Sequence, residues 1–132
     1  MPYALGTPTV NKGFLKNEVQ KLNQAFVVAT GETFFSGMPT VLNAAGEAVP
    51  AGVGALRETI IGFALFGAKA GEEVTVTLKA FSIIFAEVVN ALNPSMVVKY
   101  AGFNATTGFN KIDDTGADAT NYIGKPLRAA TT

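Results

Sequence analysis

Glu73-Val74-Thr75-Val76-Thr77-Leu78-Lys79 alternates apolar and polar residues without a fault. A strand turns successive side chains to opposite faces, so Val74, Val76 and Leu78 are expected in a core, with Thr75 and Thr77 facing out. The turn signal Ala70-Gly71 stands just before this stretch, and before that Ile60 to Phe66 runs apolar with Gly62 inside it. A glycine within a strand marks a bulge or a close approach of neighbouring backbone. Together the two segments set a β texture.

Working outward, one phrase is said twice. Gly37-Met38-Pro39-Thr40-Val41-Leu42-Asn43 is followed by a turn-rich stretch and then by Glu58-Thr59-Ile60-Ile61-Gly62-Phe63-Ala64-Leu65. Pro94-Ser95-Met96-Val97-Val98-Lys99-Tyr100 is followed by a Gly/Thr/Asp-rich stretch and then by Asn121-Tyr122-Ile123-Gly124-Lys125-Pro126-Leu127. Each half runs from a short apolar strand through a polar excursion to an Ile-Gly. Phe26-Val27-Val28, a buried-strand candidate, and Ile84-Phe85-Ala86 precede the two halves at the same distance from a methionine. The pattern predicts a pseudo-duplicated scaffold of six to eight short strands with long loops.

Around this core the signals are weaker. Met1 to Gly13, with Pro2, Gly6, Pro8 and Gly13, reads as an extended arm, and Phe14, Leu15, Val19 and Leu22 share one side of a short helix. Residues 1–24 are therefore expected as an N-terminal arm and 25–132 as the β domain. Asn43 to Gly54 and Ala101 to Thr120 read as loops, rich in the residues that turns require. Phe81 to Leu92 fits an amphipathic helix by position, yet Ile83, Ile84, Val88 and Val89 are β-branched and no turn separates them from the preceding strand. The strand reading is preferred there. Pro126 suggests an edge position for Tyr122 to Leu127.

The chain has 132 residues, enough for one core. It is 48% hydrophobic and only 15% charged, with ten basic and ten acidic residues in balance. No net field favours nucleic acid or an anionic membrane. Solubility at zero net charge is poor, which suits a protein bound to something else. Cysteine, histidine and tryptophan are absent, which excludes disulfides, a thiolate nucleophile, an imidazole base and zinc sites of ordinary ligand type. No basic segment followed by an apolar one opens the sequence, so no signal peptide is expected. Its apolar runs fall short of the roughly 18 residues a membrane span needs.

Several motifs invite chemistry and fail on spacing. Asp113-Asp114-Thr115-Gly116-Ala117-Asp118 begins like a calcium loop, but Ala117 and Gly124 stand where ligands are required and Asp118 where the glycine should be. Gly52-Val53-Gly54 and Gly67-Ala68-Lys69-Ala70-Gly71 complete no phosphate-binding pattern, and the second leads into a strand. Glu72 and Glu73, adjacent in a strand, cannot face one another across a substrate. Ser36, Ser82 and Ser95 lack any histidine base, which leaves only a Ser-Lys arrangement conceivable. Asn104-Ala105-Thr106 matches a glycosylation acceptor, taken as incidental. The ten Phe residues lie mostly in apolar runs without interleaved basic residues, a packing pattern rather than a base-stacking one. No residue is assigned as catalytic, cofactor-binding or metal-ligating, and no cofactor is expected.

The run Ile60 to Leu78 resembles a signature of the capsid decoration, or cement, proteins of tailed bacteriophages. There an Ile-Gly-x-Ala-Leu strand precedes an Ala-x-x-Gly-Glu turn and a Val-Thr-Val strand; Gly37 to Gly46 is similar to the same group's entry strand and turn. The resemblance spans roughly Ala25 to Ala130, its specific part lying within Gly37 to Leu78. It implies an all-β domain of the β-barrel-like or β-tulip kind, usually a homotrimer. It further implies a non-enzymatic role on the virion surface, with the major capsid protein as partner, after synthesis in the host bacterial cytoplasm. The arm and the loops Asn43 to Gly54 and Ala101 to Thr120 are the expected contact elements. Two other readings stand beside it. One is another virion module, such as a tail or fibre base. The other is a small carbohydrate- or ligand-binding β domain using Tyr3, Tyr100 and Tyr122.

Overall fold

The computed structural model describes residues 22–78 and 86–132, and over them the chain is all-β. Its strands are β1 (Asn23–Val27), β2 (Thr33–Phe34), β3 (Pro39–Leu42), β4 (Ala48–Pro50), β5 (Gly62–Ala64), β6 (Ala68–Lys69), β7 (Glu73–Leu78), β8 (Ala86–Val88), β9 (Val98–Asn104), β10 (Phe109–Asp113) and β11 (Tyr122–Gly124). Among the described residues one 3-10 turn, Arg57–Thr59, leads into β5. The strands form a five-stranded sheet ordered β1-β7-β5-β3-β4, a four-stranded sheet ordered β11-β9-β10-β8, and a small β2-β6 pair.

The alternating stretch becomes the spine of the larger sheet. Val74 and Val76 are fully buried, and Leu78 packs against the same cluster. Phe34, Val28, Ala48, Ala64 and Ala68 complete this first core, with Phe26, Met38 and Ile61 at its margin. Burying a side chain such as Phe34 is worth about 1.5–3 kcal/mol over leaving it in water. A second, smaller cluster of Ala51, Ile60 and Tyr100 is flanked by Val41, Ala55, Phe103 and Ile123, and joins the two sheets. Ile60 thus enters one core and Ile61 the other, because consecutive side chains on extended backbone point apart.

The doubled phrase is a doubled topology. In the first half β3 lies between β4 and β5, antiparallel to both. In the second half β9 lies between β10 and β11, again antiparallel to both. The preceding segment pairs parallel with the excursion strand in each case. Val28 bridges Ala48 of β4, and β8 pairs with β10 through Ala86↔Asn110, Lys111↔Glu87 and Ile112↔Val88. All other ladders among the described residues are antiparallel.

Several expectations change in detail. Thr77 does not face solvent: it is 7% exposed, directly opposite Phe63 of β5 and flanked by β1 on its other side. β7 lies between β1 and β5 with both of its backbone edges paired, and Val76 and Thr77 are buried on its opposite faces. Phe26-Val27-Val28 is not a wholly buried strand, since it ends an edge strand with Phe26 half-buried and Val27 exposed, and only Val28 enters the core. Ala101 to Thr120 is not one loop. It holds the end of β9, a tight turn and all of β10, which the sequence conceals behind Gly102 and a buried polar Asn110. Gly102 has φ +115, a conformation that favours glycine. Asn23 and Gln24 open β1 and Leu22 before them is not helical, so the end of the expected helix over 14–24 is not a helix, and 14–21 lie outside the described residues. Of Phe81 to Leu92, Ala86–Val88 is strand and 81–85 lie outside the described residues. The edge expectation holds, with β11 at the margin of its sheet.

Candidate functional site

The two loops expected to make contacts each turn on one asparagine. In the β3–β4 turn the Asn43 side-chain oxygen accepts from the N–H groups of Ala45 (3.0 Å) and Glu47 (2.9 Å), and its amide donates to Glu47. Gly46 takes the left-handed conformation that closes this turn. In the β9–β10 turn Asn104 accepts from Thr106 N–H (3.0 Å) while its amide donates to Glu87 (3.1 Å). A short polar side chain bonding backbone two residues on is the reason asparagine recurs at such corners. The same bonds occupy the side chain of the glycosylation-like Asn104.

These loops do not remain separate. Residues 51–60 leave β4 and cross the second sheet: Gly54 N–H donates to the Tyr100 carbonyl (2.9 Å) and Arg57 N–H to that of Thr120 (2.7 Å). The Arg57 guanidinium lies 4.6 Å above the Tyr122 ring, a cation–π arrangement. The crossing leaves Val53 68% and Leu56 49% exposed. A methyl on Gly102 would touch Val53 Cγ2 and Lys111 Cε, so Val53 stands over that part of the second sheet. Elsewhere Phe35 stacks on Phe103 with ring centres 5.4 Å apart, and Asn110 donates to the Gly37 carbonyl at 2.7 Å. Phe35 and Phe66 are both substantially exposed, on neighbouring segments held by the Ser36 hydroxyl bonding the Leu65 carbonyl. Val53, Leu56, Phe35 and Phe66 are four of the large apolar side chains exposed on the surface, where Leu22 and Leu127 are exposed further still.

Of the carboxylates that resembled a cation loop, Asp113 and Asp118 are turned to the chain itself, whereas a buried oxygen of Asp114 has no hydrogen-bond partner among the described residues. Asp118 accepts from the hydroxyl and N–H of Thr120 and from Asn121 N–H, and the Thr120 hydroxyl is the chief cause holding its carboxyl below the usual range. Asp113 is lowered first by Thr115 N–H, with Asn90 and Lys99 adding to it. Glu87 is lowered by hydrogen bonds from Thr107 and then Asn104. Among the described residues no group of three or more acidic side chains converges as a cation site would need. Glu72 likewise spends an oxygen on Lys69 N–H.

The tyrosines named for a ligand site are not gathered. Tyr100 is 3% exposed within the second core, where burial raises its hydroxyl pKa, and Tyr122 lies half-buried under Arg57. Tyr3 and the arm up to Lys21 lie outside the described residues. Sequence reasoning missed Val53, Leu56 and Phe35 as surface residues because apolar type alone points inward. The flanking Gly52 and Gly54 were the signal that Val53 sits on a loop tip. The chain matches no family model, no curated protein and no solved structure.

Proposed function

We propose that this protein is a non-enzymatic structural component of a bacteriophage head, bound outside the shell at junctions between major capsid subunits. The observation that carries the reading is the wording of Ile60 to Leu78, which resembles that of capsid decoration proteins and supplies the paired strands β5 and β7 of the larger sheet. Zero net charge and large apolar side chains left in solvent at Val53, Leu56, Phe35 and Phe66 support a role in contact. A protein that binds the assembled shell and not the dispersed subunits stabilises assembly by mass action. At a hundredfold excess over Kd that amounts to about 2.7 kcal/mol per site. A homotrimer would engage three sites at once and gain avidity without a stronger single contact.

The test is to mix purified protein with expanded heads lacking it. Binding in a fixed ratio to the major capsid protein is expected, together with a rise in the temperature at which DNA is released. The double variant Val53→Glu, Leu56→Glu should bind at least tenfold more weakly while keeping its own unfolding temperature, since both sites are exposed. Protein that ignores heads and instead titrates a glycan array would end this reading.

A further inference from the structure

Every edge of the two larger sheets among the described residues carries some device against pairing with another chain, except one. The outer side of β4 takes the Val28 bridge and the Ala29 N–H, and β4 ends in Pro50. β8 carries a charged residue, Glu87, at the middle of its described span. β11 is only three residues long, has an irregular register, and has its Tyr122 N–H bonded to the Asp118 carbonyl. Charges, prolines, bulges and shortness are the means by which natural edges avoid pairing. β1 has none of these. It runs five residues in unbroken register against β7, and from Leu22 to Ala29 the chain holds no charge, proline or glycine.

The backbone direction along β1 follows from its ends. Leu78 N–H donates to the Leu22 carbonyl and Val28 N–H to the Glu72 carbonyl, both at 2.8 Å. Even-numbered residues from 22 to 28 therefore turn their backbone groups toward β7, and Asn23, Ala25 and Val27 turn theirs outward, because the direction alternates along a strand. All three are exposed, and Leu22 beside them is 69% exposed.

We propose that β1 pairs with β1 of a second copy of this chain, antiparallel, about a two-fold axis through Ala25. The three outward residues are evenly spaced about Ala25, so one register satisfies them all. Ala25 meets its own counterpart, and Asn23 meets Val27 of the second copy on either side. A contact of this kind sets a surface against itself, so any charge near the axis would face its like. β1 carries no charge, and the residue at the axis has only a methyl to accommodate. The pairing joins two five-stranded sheets into one of ten strands, and it doubles whatever assembly the chain forms by other contacts. It does not depend on the shell-binding reading.

Sedimentation velocity of the full chain over a wide concentration range tests this. The mass is expected to double as concentration rises. Ala25→Lys and Ala25→Glu, each alone, should shift the midpoint of doubling upward by roughly tenfold, because like charges directly opposite are unfavourable. Mixing the two variants should restore it. Their unfolding temperatures should match the wild type, since Ala25 is exposed and its backbone groups are not used by β7. Amide exchange gives a second readout: Asn23, Ala25 and Val27 should become protected at high concentration, while Gln24 and Phe26 are protected throughout. Doubling unchanged in both variants would overturn the proposal. So would protection of the three amides only when a different protein is added.

Discussion

Gly62 and Gly124 hold the same place in the doubled phrase and face different surroundings. A methyl at Gly62 would run into the Thr77 carbonyl oxygen and lie 2.9 Å from Leu78 Cα, whereas one at Gly124 meets nothing within 4 Å. Backbone atoms cannot move aside as a flexible side chain can. Gly62→Ala should therefore cost about 1–3 kcal/mol or more by overpacking, and Gly124→Ala should stay within about 0.5 kcal/mol. Chemical denaturation of the two variants checks the contrast, and equal stabilities would refute it. The sequence announced either a bulge or a close backbone approach at Gly62, of which the structure shows the close approach. It could not announce the difference, which arises from β7 lying beside β5 while no described strand lies beyond β11.

At the scale of elements, the legible strands were those with plain alternation or a closing turn. β7, β5 and β3 could be read directly, and β11 was placed at an edge by Pro126. β10 was not legible, because Asn110 occupies an inward position where an apolar residue was sought, and its amide bonds the Gly37 carbonyl from 73 residues away. The loop after β10 makes its own prediction. Asp118 holds Thr120 and Asn121 as a carboxylate, and its folded pKa lies below the ordinary value. Its contribution is present above the usual aspartate range of about 3.9 and is lost as pH falls through the lowered folded value. Asp118→Ala should unfold a few degrees lower than wild type at pH 7, with the gap narrowing below about pH 4. Thermal melts at both pH values decide this, and a gap independent of pH would contradict it.

For the whole molecule, the pseudo-duplication was legible as wording but its geometry was not. The sequence suggested two independent loops, whereas residues 51–60 cross onto β9 and β11 and build the second core between the halves. No local pattern signals such a crossing, since Ile60 and Ala51 look like ordinary strand-end residues. What would touch a partner was legible only as a class of surface. The residues that carry it are apolar, and apolar type gives no direction without the fold.

The two parallel seams, Val28 with Ala48 and β8 with β10, bear on how the chain reaches this state in time. A parallel pair cannot be closed by a tight turn, so each seam must wait for its intervening hairpin strand to be in place. Loop closure is paid before such contacts return anything, and folding slows accordingly. Refolding of this chain is expected in the millisecond-to-second range of non-local β proteins, not in microseconds. Stopped-flow refolding checks this. Val28→Ala, at a seam, should slow refolding, whereas a change at the exposed Leu127 should leave the rate alone. During synthesis the first seam can form long before the second exists, and until then a half-finished protein displays what its twin will later cover.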